Sequence, residues 1–203
     1  MHYVQTETAN AGTPLYAGEY LTLKLYSAVT GFDETAGTPG NNPTDQGTAI
    51  TDLLTYWQTT GIVVRERATN KEVLHQISGW AALDVSSIAQ LRYAIQTFGG
   101  ALFGINCPLS ALQDTKNWLY VPSSPNKGGH CINGEGQGSA GGHIQSWGMD
   151  IPYDWAFMQH YLDEAYVVVT PTWLNKQGES PSGFNLSQLL NAMKAFGMKA
   201  VGA

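Results

Sequence analysis

The chain has 203 residues, a net charge of -6 with only ten Lys and Arg, 13% charged residues and 43% hydrophobic ones. This length can bury a core without metals or disulfides, so one domain over 1–203 is expected, with 171–203 as a C-terminal loop and helix extension. The acidic balance lacks the basic footprint of a nucleic-acid binder. No apolar run approaches the roughly 20 residues of a membrane span, and residues 1–5 lack the features of a signal peptide, so a soluble chain is expected.

Pro14 suits a first helical turn, Leu21, Leu25, Ala28 and Val29 recur at spacings of three and four, and Gly31 can close the run, which predicts a helix over 14–30. Residues 32–45, dense in Gly, Pro, Asn and Thr, read as a loop. Ile50, Leu53, Leu54 and Trp57 follow the helical period over 48–60, with Asp45 or Thr48 as cap and Gly61 as stop. Residues 62–66 and 73–83 predict strands joined by a turn at Thr69 and Asn70. Ser87 with Gln90 is a capping-box pattern ahead of Ile88, Leu91, Ile95 and Phe98, a helix that ends at Gly99-Gly100.

Residues 101–107 suit a buried strand that Pro108 ends. A loop over 117–127 carries a short strand at 118–121, and residues 129–134 and 142–148 read as two strands joined by the turn 135–140. The echo of Gly128-Gly129-His130-Cys131-Ile132 in Gly141-Gly142-His143-Ile144 is too short for a repeat. Asp154 caps a helix carrying Trp155, Met158, Tyr161 and Leu162, and 165–169 is a β-branched strand. A loop over 171–183 and a helix over 187–196, stopped by Gly197, complete the chain. The fold class is α+β.

The chemistry-bearing stretch is 128–170, where His130 opens one strand and Gln145 precedes Ser146, Trp147 and Gly148 on the next. This pattern resembles the second half of papain-like cysteine hydrolases, which pair a thiolate at a helix N-terminus with a histidine base and a side chain that holds the far ring nitrogen. The resemblance puts His130 at the base position, Gln145 at the orienting Asn position and Trp147 at the shielding Trp. Gln145 keeps an amide oxygen but moves it by about one carbon–carbon bond, and a misplaced orienter can cost on the order of 100-fold in rate. The resemblance extends to the helix with Tyr56 and Trp57, to 101–109, and to Asp163-Glu164-Ala165-Tyr166 entering the last strand. It implies a papain-like fold, with helices packed against an antiparallel sheet, and is similar to papain-like proteins of unassigned role in bacteriophages. In that group a Gly-Asp-Cys segment opens the first helix just ahead of a stretch like 2–12, and this sequence begins after it.

No residue fills the nucleophile position. Asp45-Gln46-Gly47 offers a second register, through the Gln-Gly ahead of the papain nucleophile, and places Asp52 at the thiol. Cys131 adjoins His130, and successive strand residues point to opposite faces, which forbids a dyad. Cys107 reads as a small buried thiol. His130, Cys131, His143 and Glu135 offer a metal alternative without the usual ligand spacings, and no cofactor and no metal are expected. His75 and His160 read as structural, and His2 sits near the start of the chain. Trp118, Tyr120, Trp147, Tyr153 and Trp155 fit either a stacking cleft or a core.

The expectation is a papain-like scaffold without its nucleophile, a non-catalytic binding or virion-accessory protein of a bacteriophage that engages a protein or peptide partner, cytoplasmic or virion-associated. The alternative is an active cysteine peptidase or amidase with His130 as base and a thiol from an upstream segment or another chain. A purely structural interaction protein is the third reading.

Overall fold

The structure, a computed structural model, describes residues 4, 8, 12, 14–195 and 199–201. His2 and the stop at Gly197 lie outside them.

Pro14 does not open a helix. Leu15–Tyr16 form a short strand, β1, that pairs antiparallel with β2 (Ile62–Glu66), which holds these residues extended and buries Leu15. Helix α1 therefore spans Glu19–Thr30, and Gly31 closes it in the left-handed region at φ 78°, its N–H on the Ser27 carbonyl. The loop expected over 32–45 contains one 3-10 turn, Glu34–Ala36, capped by Asp33. Helix α2, Ile50–Thr59, buries Ile50, Leu54 and Trp57. Neither Asp45 nor Thr48 caps it, because Ala49 takes the N-cap position and supplies no side-chain bond.

The strand expected over 73–83 is two strands in two sheets. β3 (Glu72–His75) pairs with β2, and after residues 76–78 the chain crosses to β4 (Gly79–Ala82), which pairs with β9 (Leu162–Val169). Helix α3 spans Ile88–Phe98. Ser87 Oγ accepts the Gln90 N–H at 3.2 Å, while the Gln90 side chain reaches the Asp84 N–H, so only half of the capping box forms.

β5 (Ala101–Pro108) leads into a short helix, α4 (Leu109–Gln113), absent from the sequence reading. β6 (Asn126–Gln137) is longer than expected and pairs with β7 (Gly141–Ser146). β7 continues into β8 (Met149–Asp154), a strand that the sequence reading missed. Residues 118–121 make a single parallel bridge, Trp118 to Tyr153, in place of a strand. Asp154 caps α5 (Trp155–Tyr161) by accepting the Phe157 N–H at 2.6 Å. The tail holds α6 (Leu186–Ala195) and also an unexpected strand, β10 (Lys199–Val201), on the free side of β4.

Among the described residues the strands form a three-stranded sheet, β1-β2-β3, and a seven-stranded antiparallel sheet, β10-β4-β9-β5-β6-β7-β8. The large sheet separates two cores. On one face Phe103, Ile105, Ile132 and Ile144 pack with Leu91 of α3, Phe157 of α5 and Leu189 of α6. On the other face Leu102, Tyr166 and Val168 pack with Leu54 and Trp57 of α2 and with β2. Burying such side chains contributes roughly 1.5–3 kcal/mol each and fixes strand register, since a one-residue slip would exchange the two faces. No helix among the described residues is long and apolar enough to cross a membrane.

One polar link crosses the second core. The Trp57 indole N–H donates to His75 Nδ1 at 3.0 Å, so His75 carries its proton on Nε2, which reaches Thr172 Oγ1 at 2.7 Å and Thr170 Oγ1 at 3.3 Å. His75 is 4% exposed, and burial pushes its pKa down to about 4. It is the structural histidine that its apolar neighbours suggest. Because the folded-state pKa lies below the unfolded value near 6.5, the protein holds its full stability above pH 6.5 and loses it as pH falls towards 4, by on the order of 3 kcal/mol. Denaturant melts at pH 7 and pH 4 on the wild type and His75→Gln test this. The pH slope should be shallower in the variant by that amount, and identical slopes would refute the assignment.

Candidate active-site cleft

His130 lies on β6 opposite Ile105 of β5, near the end of the strand that β7 does not reach, because the β6–β7 ladder ends at Asn133 opposite Gln145. The β7–β8 turn fills the place of the missing strand neighbour. Ser146 pairs with Met149, leaving Trp147 and Gly148 as a two-residue loop at φ 49° and 74°. Two positive φ values are the pattern of a type I′ hairpin, whose twist suits antiparallel strands. The left-handed conformation costs a tryptophan roughly 1–2 kcal/mol. Its ring stacks on His130 at 4.8 Å between centroids, 20° from parallel, and meets Trp118 edge-on at 5.7 Å, which offsets that cost.

The side chain that holds the imidazole is Ser146. Its hydroxyl is 2.7 Å from His130 Nε2, and Ser146 is 3% exposed, so water does not compete for this bond. Gln145 does not take the orienting place expected for it. Alternation along β7 puts Ile144 and Ser146 on the face of the first core and Gln145 on the other, beside Asp150 and Asn133. Trp147 does lie against the ring, as the Ser-Trp-Gly motif implied. Trp118, fully buried behind both rings at 6.4 Å from His130, forms the back of this aromatic box.

Burial lowers the His130 pKa below 6.5, so the ring is neutral at pH 7. When Nε2 carries the proton, Ser146 Oγ accepts it and Nδ1 presents a lone pair, the arrangement of a general base.

A cleft of about 760 Å³ runs between this end of the large sheet and the N-terminal end of α2. Gly104, Ile105, Asn106, Gly129, His130 and Cys131 line one wall, with Asp163 and Glu164 beside them. Tyr26 and residues 46–50 line the other. Gln46 and Gly47 thus share the cleft with His130, the juxtaposition that the second register implied, while Asp52 is exposed on the first turn of α2 and is not part of the lining. The α2 end presents Thr48, Ala49 and Ile50, with no sulfur among them.

The two thiols are placed as alternation requires. Cys107 is buried in the first core with its Sγ against the Pro108 carbonyl at 3.9 Å, and burial raises its pKa. Cys131 pairs with Gly104 on the face opposite the His130 ring, reachable from the cleft yet ringed by protein. That enclosure, with the charge of Glu164, pushes its thiol up to about 11. Neither sulfur makes a hydrogen bond to His130. His143 pairs with Asp150 at 3.1 Å and Glu135 with Asn133 at 2.7 Å, so the four residues of the metal alternative are not gathered. His160 is exposed and packs against Tyr120 and Tyr161 at 4.6 and 4.7 Å. Of the aromatic residues with two readings, Tyr153 and Trp155 are core, and Trp147 is 46% exposed at the cleft end of the sheet.

No family model and no curated protein matches the sequence. Solved structures do. Xylellain, a cysteine protease from Xylella fastidiosa, superposes with a TM-score of 0.61 at 11% identity over 83% of this chain and 76% of that one. The Carica candamarcensis cysteine protease CMS1MS2, solved in complex with E-64, gives 0.50 at 12% identity over 83% and 87%. A chain from a study of the mite allergens Blo t 1 and Der p 1 gives 0.52 at 12% identity over 82% and 62%. At these identities the likeness is one of fold, and it shows that the α+β fold of this chain is papain-like.

Replacing Ser146 by Ala removes the only hydrogen-bond partner of Nε2 among the described residues. Long-range nitrogen–proton NMR of the imidazole should show an Nε2-protonated ring in the wild type and a mixture of tautomers in Ser146→Ala, with stability lower by about 1 kcal/mol. Unchanged ring signals would mean that another group holds His130.

Proposed function

We propose that this protein is a papain-like scaffold that binds a peptide segment in the His130 cleft without cleaving it through either of its own cysteines. The observation that carries this reading is the cleft itself: its lining joins His130 to a helix end formed by Thr48, Ala49 and Ile50, and both thiols are pushed towards the protonated form. A thiol near pKa 11 has almost no thiolate at pH 7 and is a poor nucleophile. The sequence resemblance to papain-like phage proteins supplies the setting, a virion or accessory protein that engages a protein or peptide partner.

A second reading has its own support. The Ser146 hydroxyl on Nε2 leaves Nδ1 free to serve as a base, which suits an active cysteine peptidase or amidase whose thiol comes from an upstream segment or another chain. Alkylation by iodoacetamide at pH 7, followed site by site by mass spectrometry, tests the binding reading against catalysis by either of the chain's own cysteines. Cys131 should label at least roughly 100-fold more slowly than a free cysteine peptide, and His130→Ala should leave both cysteine rates unchanged. Fast labelling that depends on His130 would defeat the binding reading and make that cysteine the nucleophile.

A further inference from the structure

The cleft wall holds an acid in a purpose-shaped seat. Glu164 enters β9 opposite Gly104 of β5, and its side chain lies flat across that glycine. A Cβ on residue 104 would stand 2.5 Å from Glu164 Cγ and 2.9 Å from Oε1, so any other residue there would evict the carboxylate from this position. Tyr166, two residues on and on the same face, donates its hydroxyl to Glu164 Oε2 at 2.7 Å. The side chain is thus fixed from below by a missing side chain and along the strand by a hydrogen bond. It is directed across β5 towards β6, where its charge reaches the Cys131 thiol.

Among the described residues the cleft lining contains Glu164 and Asp163 and no Lys or Arg. Among the described residues the ion pairs are Arg65 with Glu72 and His143 with Asp150, and neither Glu164 nor Asp163 is in one. A half-buried carboxylate with a tyrosine donor on one oxygen leaves acceptor capacity on the other, in the lining of a cleft large enough for a side chain. A charge-assisted bond to an ammonium or guanidinium is the strong interaction such a group offers, and it gains from the low dielectric of a cleft.

We infer that Glu164 is the specificity-determining residue of the cleft and that it selects a peptide segment with a cationic side chain, lysine or arginine. This rests on the peptide-cleft reading above and deepens it. Gly104 and Tyr166 act as positioning residues for the carboxylate, and Asp163, exposed at the rim, adds long-range attraction that salt screens.

The test uses two blocked tripeptides, acetyl-Ala-Lys-Ala-amide and its norleucine counterpart, which differ by a charge at nearly constant shape. NMR titration of the intact chain in low salt should give the lysine peptide about 5-fold tighter binding. Glu164→Gln keeps the size and can still accept from Tyr166, and it should bring the two affinities together, whereas Asp163→Asn should reduce the preference only partly. Equal affinities in the wild type, or a lysine preference that Glu164→Gln leaves intact, would overturn the inference while the peptide-cleft reading stands. Failure of both peptides to bind at millimolar concentration would overturn the two together.

Discussion

The hydrogen bond between His130 Nε2 and the Ser146 hydroxyl organises the β7–β8 end of the large sheet. It joins β6 to the β7–β8 hairpin where the strand ladder has already stopped, and it is short, half-buried and covered by Trp147. The left-handed Trp147 turn follows from it, since only a tight two-residue turn brings a serine and a tryptophan back over the same imidazole. Neutrality of the ring comes from the same enclosure that protects the bond.

The sheet supplies the second constraint. Each strand alternates between two cores, so neighbours in sequence are partitioned to opposite faces. His130 joins the aromatic box of the first face, while Cys131 turns to the second, beside Gly104, over which Glu164 lies. The thiol nearest in sequence to the base is therefore removed from it and is also the one whose ionisation is most suppressed. The arrangement forms a cleft with one wall from the sheet and one from the N-terminal end of α2, and its electrostatics favour binding a cation over forming a thiolate.

Much of this was legible in the residues. Helical periodicity found α2, α3, α5 and α6, whose buried stripes are dense, and the cap at Asp154 was readable because an Asx side chain there has one good partner. The His130 and Ser-Trp-Gly pattern led to the papain-like fold. What was not legible depended on long-range pairing. Residues 15–16 carry a helical pattern but are captured by β2, and 73–83 look continuous until the partners on either side prove to be different sheets. The exchange of Gln145 for Ser146 as the ring's holder could not be read from the motif, since it turns on which β7 face meets His130. Alternation from the buried Ile144 would have signalled it. The seat of Glu164 on Gly104 joins residues sixty apart and has no local signature.

A high-resolution crystal structure of the chain is the most direct measurement of the central claim. The account predicts Ser146 Oγ within about 3 Å of His130 Nε2, Gln145 on the opposite face, and neither cysteine Sγ within hydrogen-bonding reach of the imidazole. A Gln145 amide oxygen on Nε2, or the sulfur of Cys107 or Cys131 against Nδ1, would contradict it.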